Sequence, residues 1–167
     1  MQVGGGALLE YLPQETIVFD GFALRRRLTV DLAADALFVG IESVVFGRQA
    51  HGERVMTGSL HDTVSLRREG VLLLQDSTRI EGNIDAMLSR KAVADGNIAT
   101  ANIIYAGNDA ATRLLKVRED LGGAGCLAGA SAFNDVLRVR LLAPDAASLR
   151  RVAVAVLGLC RDGRPLP

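Results

Sequence analysis

The sequence predicts a mainly β domain with a C-terminal α/β part, and three observations carry that prediction. Residues 1–81 alternate period-2 and wholly apolar runs, separated by Gly, Asp and Ala-Asp turns. Helical spacing enters only from residue 82 onward, and each of the two helical patterns found there follows a strand-like run. With 167 residues, of which 49% are hydrophobic, the chain suits a single domain, residues 1–167, able to bury a core.

In the β-rich part, residues 1–81, strands are predicted near 8–12, 15–19, 22–32 and 36–46, followed by a hairpin of 54–66 and 71–80 turning at Arg68-Glu69-Gly70. Alternate residues of a strand share a face. Glu15 therefore groups with Ile17 and Phe19, on what is expected to be the inward face. In the next strand Phe22, Leu24, Leu28, Val30 and Leu32 share a parity that also collects Arg26, the natural partner for an inward Glu15. Residues 36–46 are apolar on both faces, as in a strand covered on both sides, and Glu42 interrupts one of them. A buried lone ion costs several kcal/mol, so each inward acid is expected to be paired, protonated or lining a watery path. Acids on an edge strand or facing solvent are the alternative. Pro13 removes a ladder donor and breaks the strand between Leu12 and Gln14, which suits either a channel wall or a plain corner.

In the α/β part, residues 82–167, strands over 98–105 and 133–142 precede two helices. Asp109 is expected to cap the first, which carries Leu114, Val117 and Leu121. Asp145 is expected to cap the second, which carries Leu149, Val152, Ala153, Val156 and Cys160. Shared helix-start chemistry explains the likeness of the two units better than duplication does.

Catalytic patterns are weak. His51 and His61 read as solvent residues without ligand spacing around them. Cys160 lies on an apolar helix stripe, while Cys126 sits in a glycine-rich loop that follows a helix, the reverse of a dinucleotide fingerprint. No Walker A sequence occurs, so nucleotide chemistry would belong to a partner. Arg25-Arg26-Arg27 is split between strand faces and does not form a phosphate site. Nineteen basic and nineteen acidic residues give no global electrostatic case for nucleic acid or an anionic membrane. No apolar run reaches transmembrane length and no signal peptide is read at the start, so a cytoplasmic location is expected.

The run LEYLPQETIVFDGFALRRRLTVDL (residues 9–32), the later GRQAHGE (47–53) and the tail LRVRLLAPDAASLRRVAVAVLGL (137–159) with GRPLP resemble the urease accessory protein family UreD. Tyr11 stands where that family usually has Trp. The likeness covers almost the whole chain but only about three-fifths of a typical member, its C-terminal part, so an N-terminally truncated UreD-type domain is expected. The resemblance implies a mainly β fold of stacked, β-helix-like or sandwich-like strands with about two helices.

For function the resemblance implies a chaperone of urease maturation and not an enzyme. Such a protein is a scaffold that binds apo-urease and UreF, and through UreF the GTPase UreG, for GTP-dependent nickel insertion. No tightly bound cofactor is implied, only nickel in transit. Nickel accepts carboxylate, imidazole and water, so weak multiple binding along an acid-lined path would suit it. On that reading Glu10, Glu15, Asp20, Arg26 and Glu42 are candidate path or interface residues. Glu15 and Asp20 are the candidate metal contacts, and Arg26 the partner that tunes Glu15. Leu149, Val152 and Val156 on the last helix are candidates for a partner interface, set against the alternative that this helix covers its own sheet. Two other readings stand beside the chaperone: an inactive truncated copy, and a small ligand-binding protein or enzyme using a buried carboxylate as general base.

Overall fold

Short turns send the chain back and forth between two facing sheets. The computed structural model describes residues 1–48, 51–123 and 125–162. Strand β1 (Gln2–Val3) lies in the first sheet, and β2 (Leu8–Tyr11) and β3 (Thr16–Val18) in the second. The turn at Asp20 and Gly21, where Gly21 has φ +76°, returns the chain to the first sheet as β4 (Phe22–Leu32). It then crosses to the second as β5 (Leu37–Phe46) and back as β6 (Thr57–Arg68).

Each return lays a strand parallel to the one before it in the same sheet, β1 to β4 to β6 on one side, and β2 and β3 to β5 on the other. This winding is the β-helix-like stacking expected from the resemblance. A hairpin ends it: Glu69 (φ +50°) and Gly70 (φ +75°) form a two-residue turn with both central residues left-handed, and β7 (Val71–Asn83) runs back antiparallel to β6.

The remaining strands extend the second sheet by antiparallel pairing. Its order is β2-β5-β8-β10-β9, with β8 (Ala99–Ala106), β9 (Leu127–Phe133) and β10 (Val136–Ala143), and β3 beside β2 on β5. Helices α2 (Ala110–Leu121) and α3 (Ala146–Cys160) cover the far face of this sheet, where Val39, Ile41, Ile103, Val139 and Leu141 meet Val117, Leu149, Val152 and Val156. Strand β5 is therefore covered on both faces, as its unbroken apolar run predicts.

Three elements depart from the sequence reading. A short helix α1 (Ile84–Leu88) follows β7, its first turn capped by Asn83, whose side chain accepts from the Ala86 amide at 2.9 Å. The stretch after the glycine run is the edge strand β9, where a loop was expected. The predicted strand over 133–142 is instead β10, starting at Val136 after a tight turn at Asn134 (φ +47°) and Asp135 (φ +58°). Asp145 caps α3 as expected, accepting from the Ser148 amide at 2.7 Å, whereas Asp109 makes no side-chain cap to α2.

Candidate functional site: a charged seam between the sheets

The space between the two sheets is not one apolar core. Phe38, Leu28, Val30, Leu66, Leu74 and Ile104 form one cluster, and Val44, Phe46, Leu60, Ile84 and Leu88 form another. Between them runs a row of polar side chains set by strand register. In the first sheet Arg26 of β4 stands opposite Asp62 of β6, and Asp62 opposite Thr78 of β7. In the second sheet Glu42 of β5 stands opposite Asn102 of β8, and Asn102 opposite Arg140 of β10.

Arg26 is the centre of one half of this seam. Its guanidinium donates to the Asp62 carboxylate and, at 3.0 Å, to Thr16 Oγ1 of β3, while its Nε lies 4.0 Å from Glu42 Oε1 across the sheets. Asp76 of β7 is the centre of the other half. It takes Arg138 at 2.6 Å and Arg140 at 2.7 Å, and Asn102 Nδ2 donates to it at 2.9 Å. Asp76 thus ties the edge strand of the first sheet to β8 and β10 of the second.

Glu42 is 7% exposed. Burial pushes its carboxyl up to about 7; the nearby negative charge of Asp62 adds to the rise, while Arg26 opposes it. Arg26 Nε, Glu42 Oε2 and Asp62 Oδ1 are buried without a hydrogen-bond partner, as is Arg138 Nη2 beside Asp76, so the seam is incompletely satisfied in both halves. Toward the β7 and β9 edges the seam opens on a cleft of about 570 Å³, lined by Ser77, Thr78, Asn102, Gly129 and Arg140 among others.

The remaining sequence candidates lie elsewhere. Glu15 does not meet Arg26. On β3 it is Val18 that faces inward, while Ile17 (48% exposed) and Phe19 (46% exposed) face outward. The expected inward set is therefore the outward one, on a strand that begins after the break at Pro13. That break also leaves residues 41–43 of β5 without a strand partner on this side, since β2 pairs with 37–40 and β3 with 44–46. Glu15 instead accepts from Arg150 of α3 at 3.2 Å, and Glu10 binds Arg161 through two contacts of 2.7 and 2.8 Å.

Asp20 is exposed and accepts from the amides of Met56 and Thr57 at 2.8 and 2.7 Å, hydrogen bonds that hold its carboxyl below the usual range. Glu53 of the GRQAHGE turn pairs with Arg48 at 2.9 Å, and Arg48 lies over the Phe19 ring. Residues 49 and 50 of that turn lie outside the described residues.

Leu149, Val152 and Val156 are buried against the second sheet, so they are core and present no surface to a partner. Cys160 is buried in the same cluster, and burial pushes its thiol up to about 12, far from a nucleophile's range. Asp109 is used otherwise than as a cap: it accepts from the Tyr105 hydroxyl and pairs with Arg113 at 2.8 Å, and Arg113 stacks on the Tyr105 ring and reaches Asp162 at 2.8 Å.

Sequence reasoning passed over Asp62, Asp76, Arg138 and Arg140. A parity signal was available: Asp62 is in phase with Leu60, Val64 and Leu66, Asp76 with Leu74 and Ile80, and both arginines with Val136 and Leu142. Among the described residues, no group of three or more His, Cys, Asp or Glu side chains is placed to hold a metal ion, and no helix is long and apolar enough to cross a membrane.

The family model described as UreD urease accessory protein matches residues 1–167. Proteins named urease accessory protein UreD are similar along nearly all of the chain. That of Xanthobacter autotrophicus is 49% identical over 162 residues, covering 97% of this chain and 56% of the relative. That of Azorhizobium caulinodans is 46% identical over 165 residues, covering 99% and 60% respectively. That of a Methylobacterium species is 45% identical over 172 residues, covering 100% and 61%. The chain therefore spans about three-fifths of the length of these curated relatives. A full-length family match, three relatives above two-fifths identity and the strand winding expected for the family agree: the chain belongs to the UreD urease accessory protein family.

Proposed function

We propose that the protein acts in urease maturation as a non-enzymatic scaffold, and that the charged seam is the stretch of it that handles nickel in transit. The reading is supported by family membership and by one observation above the others: a buried Glu42 facing Asp62, with donor and acceptor atoms left unsatisfied between two apolar clusters. Buried polar atoms left unsatisfied cost a purely structural core stability. A passage for a divalent cation needs oxygen ligands that hold weakly and in series.

On this reading the path residues are Arg26 and Glu42, joined by Asp62 and, at the cleft, Asp76. Glu10, Glu15 and Asp20 act as anchors of the fold, because each already has a partner that fixes a loop or helix. Apo-urease, UreF and, through UreF, UreG would be the partners in GTP-dependent nickel insertion, with the work done in the cytoplasm.

The test is urease activation in cells whose UreD protein carries Glu42→Gln, Asp62→Asn or Glu15→Ala. The first two should lower urease nickel content at least about tenfold, as expected when a transit ligand is removed, and Glu15→Ala should leave it near normal. Normal nickel loading with a well-folded Glu42→Gln protein would sink the path reading, and a loss with Glu15→Ala alone would move the path to the helix side.

A further inference from the structure

We infer that β9 is a pairing edge for a second copy of this chain: two β9 strands join antiparallel about Ala130, and Arg118 caps the edge when the chain is alone. The inference is independent of the nickel path.

Hairpin geometry fixes which backbone groups are free. Phe133 and Val136 face each other across the two-residue turn of Asn134 and Asp135, so Phe133 closes the hairpin with its N–H and C=O toward β10. Alternation then turns the N–H and C=O of Leu127, Gly129 and Ser131 toward β10 as well, and those of Ala128, Ala130 and Ala132 away from it. Strand β9 ends the second sheet, with no further strand beyond it among the described residues. The Ala130 carbonyl accordingly finds a side-chain donor on that side: Arg118 of α2 reaches it from Nε at 3.3 Å and from Nη2 at 3.0 Å.

The side chains on this edge favour pairing. Sheet edges are ordinarily guarded by charge. The free edge of the first sheet follows that rule, since β7 exposes Arg79 and Glu81, whereas all seven residues of β9 are uncharged. Its two large side chains, Leu127 (52% exposed) and Phe133 (40% exposed), share a face with Gly129 and Ser131. This face looks toward the first sheet, because Ala130, on the other face, packs in the cluster with α2. Strand β7 reaches Asn102, Arg138 and Arg140 of β8 and β10, and so stops short of covering β9.

The strand is complementary to itself. An antiparallel pair related by a two-fold axis through Ala130 sets all seven residues opposite one another, with Leu127 against the partner's Phe133 and Phe133 against the partner's Leu127. Other registers shorten the pairing and separate these two apolar contacts. In this register the groups that exchange hydrogen bonds are the outward ones of Ala128, Ala130 and Ala132. A formal net charge of zero raises no long-range repulsion between copies. Arg118 opposes the pairing, since its guanidinium holds the central acceptor and must release it before the strands join. The dimer is therefore weak.

Sedimentation equilibrium of the 167-residue chain over a concentration series tests the pairing. The parent should dimerise weakly, and Arg118→Ala at least about tenfold more tightly, because a charge-assisted bond no longer has to be broken in either copy. Leu127→Glu and Phe133→Lys, each alone, should weaken the dimer at least about tenfold by setting a charge against an apolar side chain. Both positions are exposed, so these variants keep the fold, which circular dichroism checks. The double variant Leu127→Glu/Phe133→Lys should recover the dimer, since this register places the two new charges opposite each other.

A parent and an Arg118→Ala variant that both stay monomeric at millimolar concentration overturn the proposal. Dimerisation of Arg118→Ala alone overturns it too, because Arg118 would then be a guard that forbids pairing. A dimer that Leu127→Glu does not weaken lies on another surface, and a double variant no tighter than either single one refutes the register; each defeats the inference.

Discussion

Glu10 and Arg161, 151 positions apart in sequence, close a two-contact ion pair that joins β2 to the end of α3. Arg161 is 5% exposed but the Glu10 side chain is 25% exposed, so the pair is only partly shielded from solvent. A second pair, Glu15 with Arg150, joins the same LEYLPQE segment to the same helix, but Arg150 is largely exposed. The segment that carries the family likeness is thus fastened to the C-terminal helix, on the face of the second sheet opposite the seam.

Truncating Glu10 and truncating Glu15 should therefore differ. Glu10→Ala takes a two-contact carboxylate away from the Arg161 guanidinium and should cost more stability than Glu15→Ala. Glu15→Ala should cost less than about 1 kcal/mol, as exposed pairs do. Urea denaturation of the two variants checks the ordering, and equal losses would contradict it.

Glu42 makes stability depend on pH in a defined direction. Its carboxyl is raised from an ordinary 4.5 to about 7 in the folded protein, so the native state holds the proton more tightly than the unfolded chain. Its contribution is most favourable below the unfolded value, is lost as pH rises between about 4.5 and about 7, and is flat above that. The loss is on the order of 3 kcal/mol. Urea midpoints of the metal-free protein at pH 5 and pH 8, compared with those of Glu42→Gln, should show a drop that the variant lacks. Equal drops in both would remove Glu42 as the cause.

Asp76 fastens the edge strand β7 to the second sheet. Asp76→Ala leaves Arg138 and Arg140 facing one another without their carboxylate, and should destabilise by about 3 kcal/mol. Amide exchange should quicken first in β7, whose outer edge has no neighbouring strand among the described residues. A uniform acceleration across both sheets would show that the clamp is not local.

Gly47 is required by the turn that follows β5. Its φ is +85°, and an added Cβ would come within 2.6 Å of the Glu53 carbonyl oxygen, so Gly47→Ala should cost about 2 kcal/mol or more. Gly4, with an ordinary φ and open space around it, is the control, and its change to Ala should stay within about 0.5 kcal/mol. Thermal unfolding of both variants tests the pair.

Much of the fold was legible because alternation is a local property. The faces of β4, the two-sided burial of β5, the turn at Glu69 and Gly70, and the Asp145 cap all follow from residues a few positions apart. Arg26 and Glu42 were legible as inward charges for the same reason. Around β3 parity grouped Glu15, Ile17 and Phe19 but did not say which face is inward, because apolar residues stand on both faces of so short a strand. It also could not show β9, whose run of Leu, Gly, Ala and Ser has no apolar alternation and is held as an edge strand by its pairing with β10.

What the sequence determined by itself was the strand-rich composition, the family likeness and the presence of charges on inward faces. Only the tertiary structure decided which charges meet. Arg26 faces Asp62 because parallel winding sets β4 beside β6, and it approaches Glu42 because the two sheets stack. Asp76 meets Arg138 and Arg140 more than sixty residues along the chain for the same cause. Spacing within a strand specifies a face, whereas a partner across a sheet or between sheets is set by register and stacking, which no local pattern encodes.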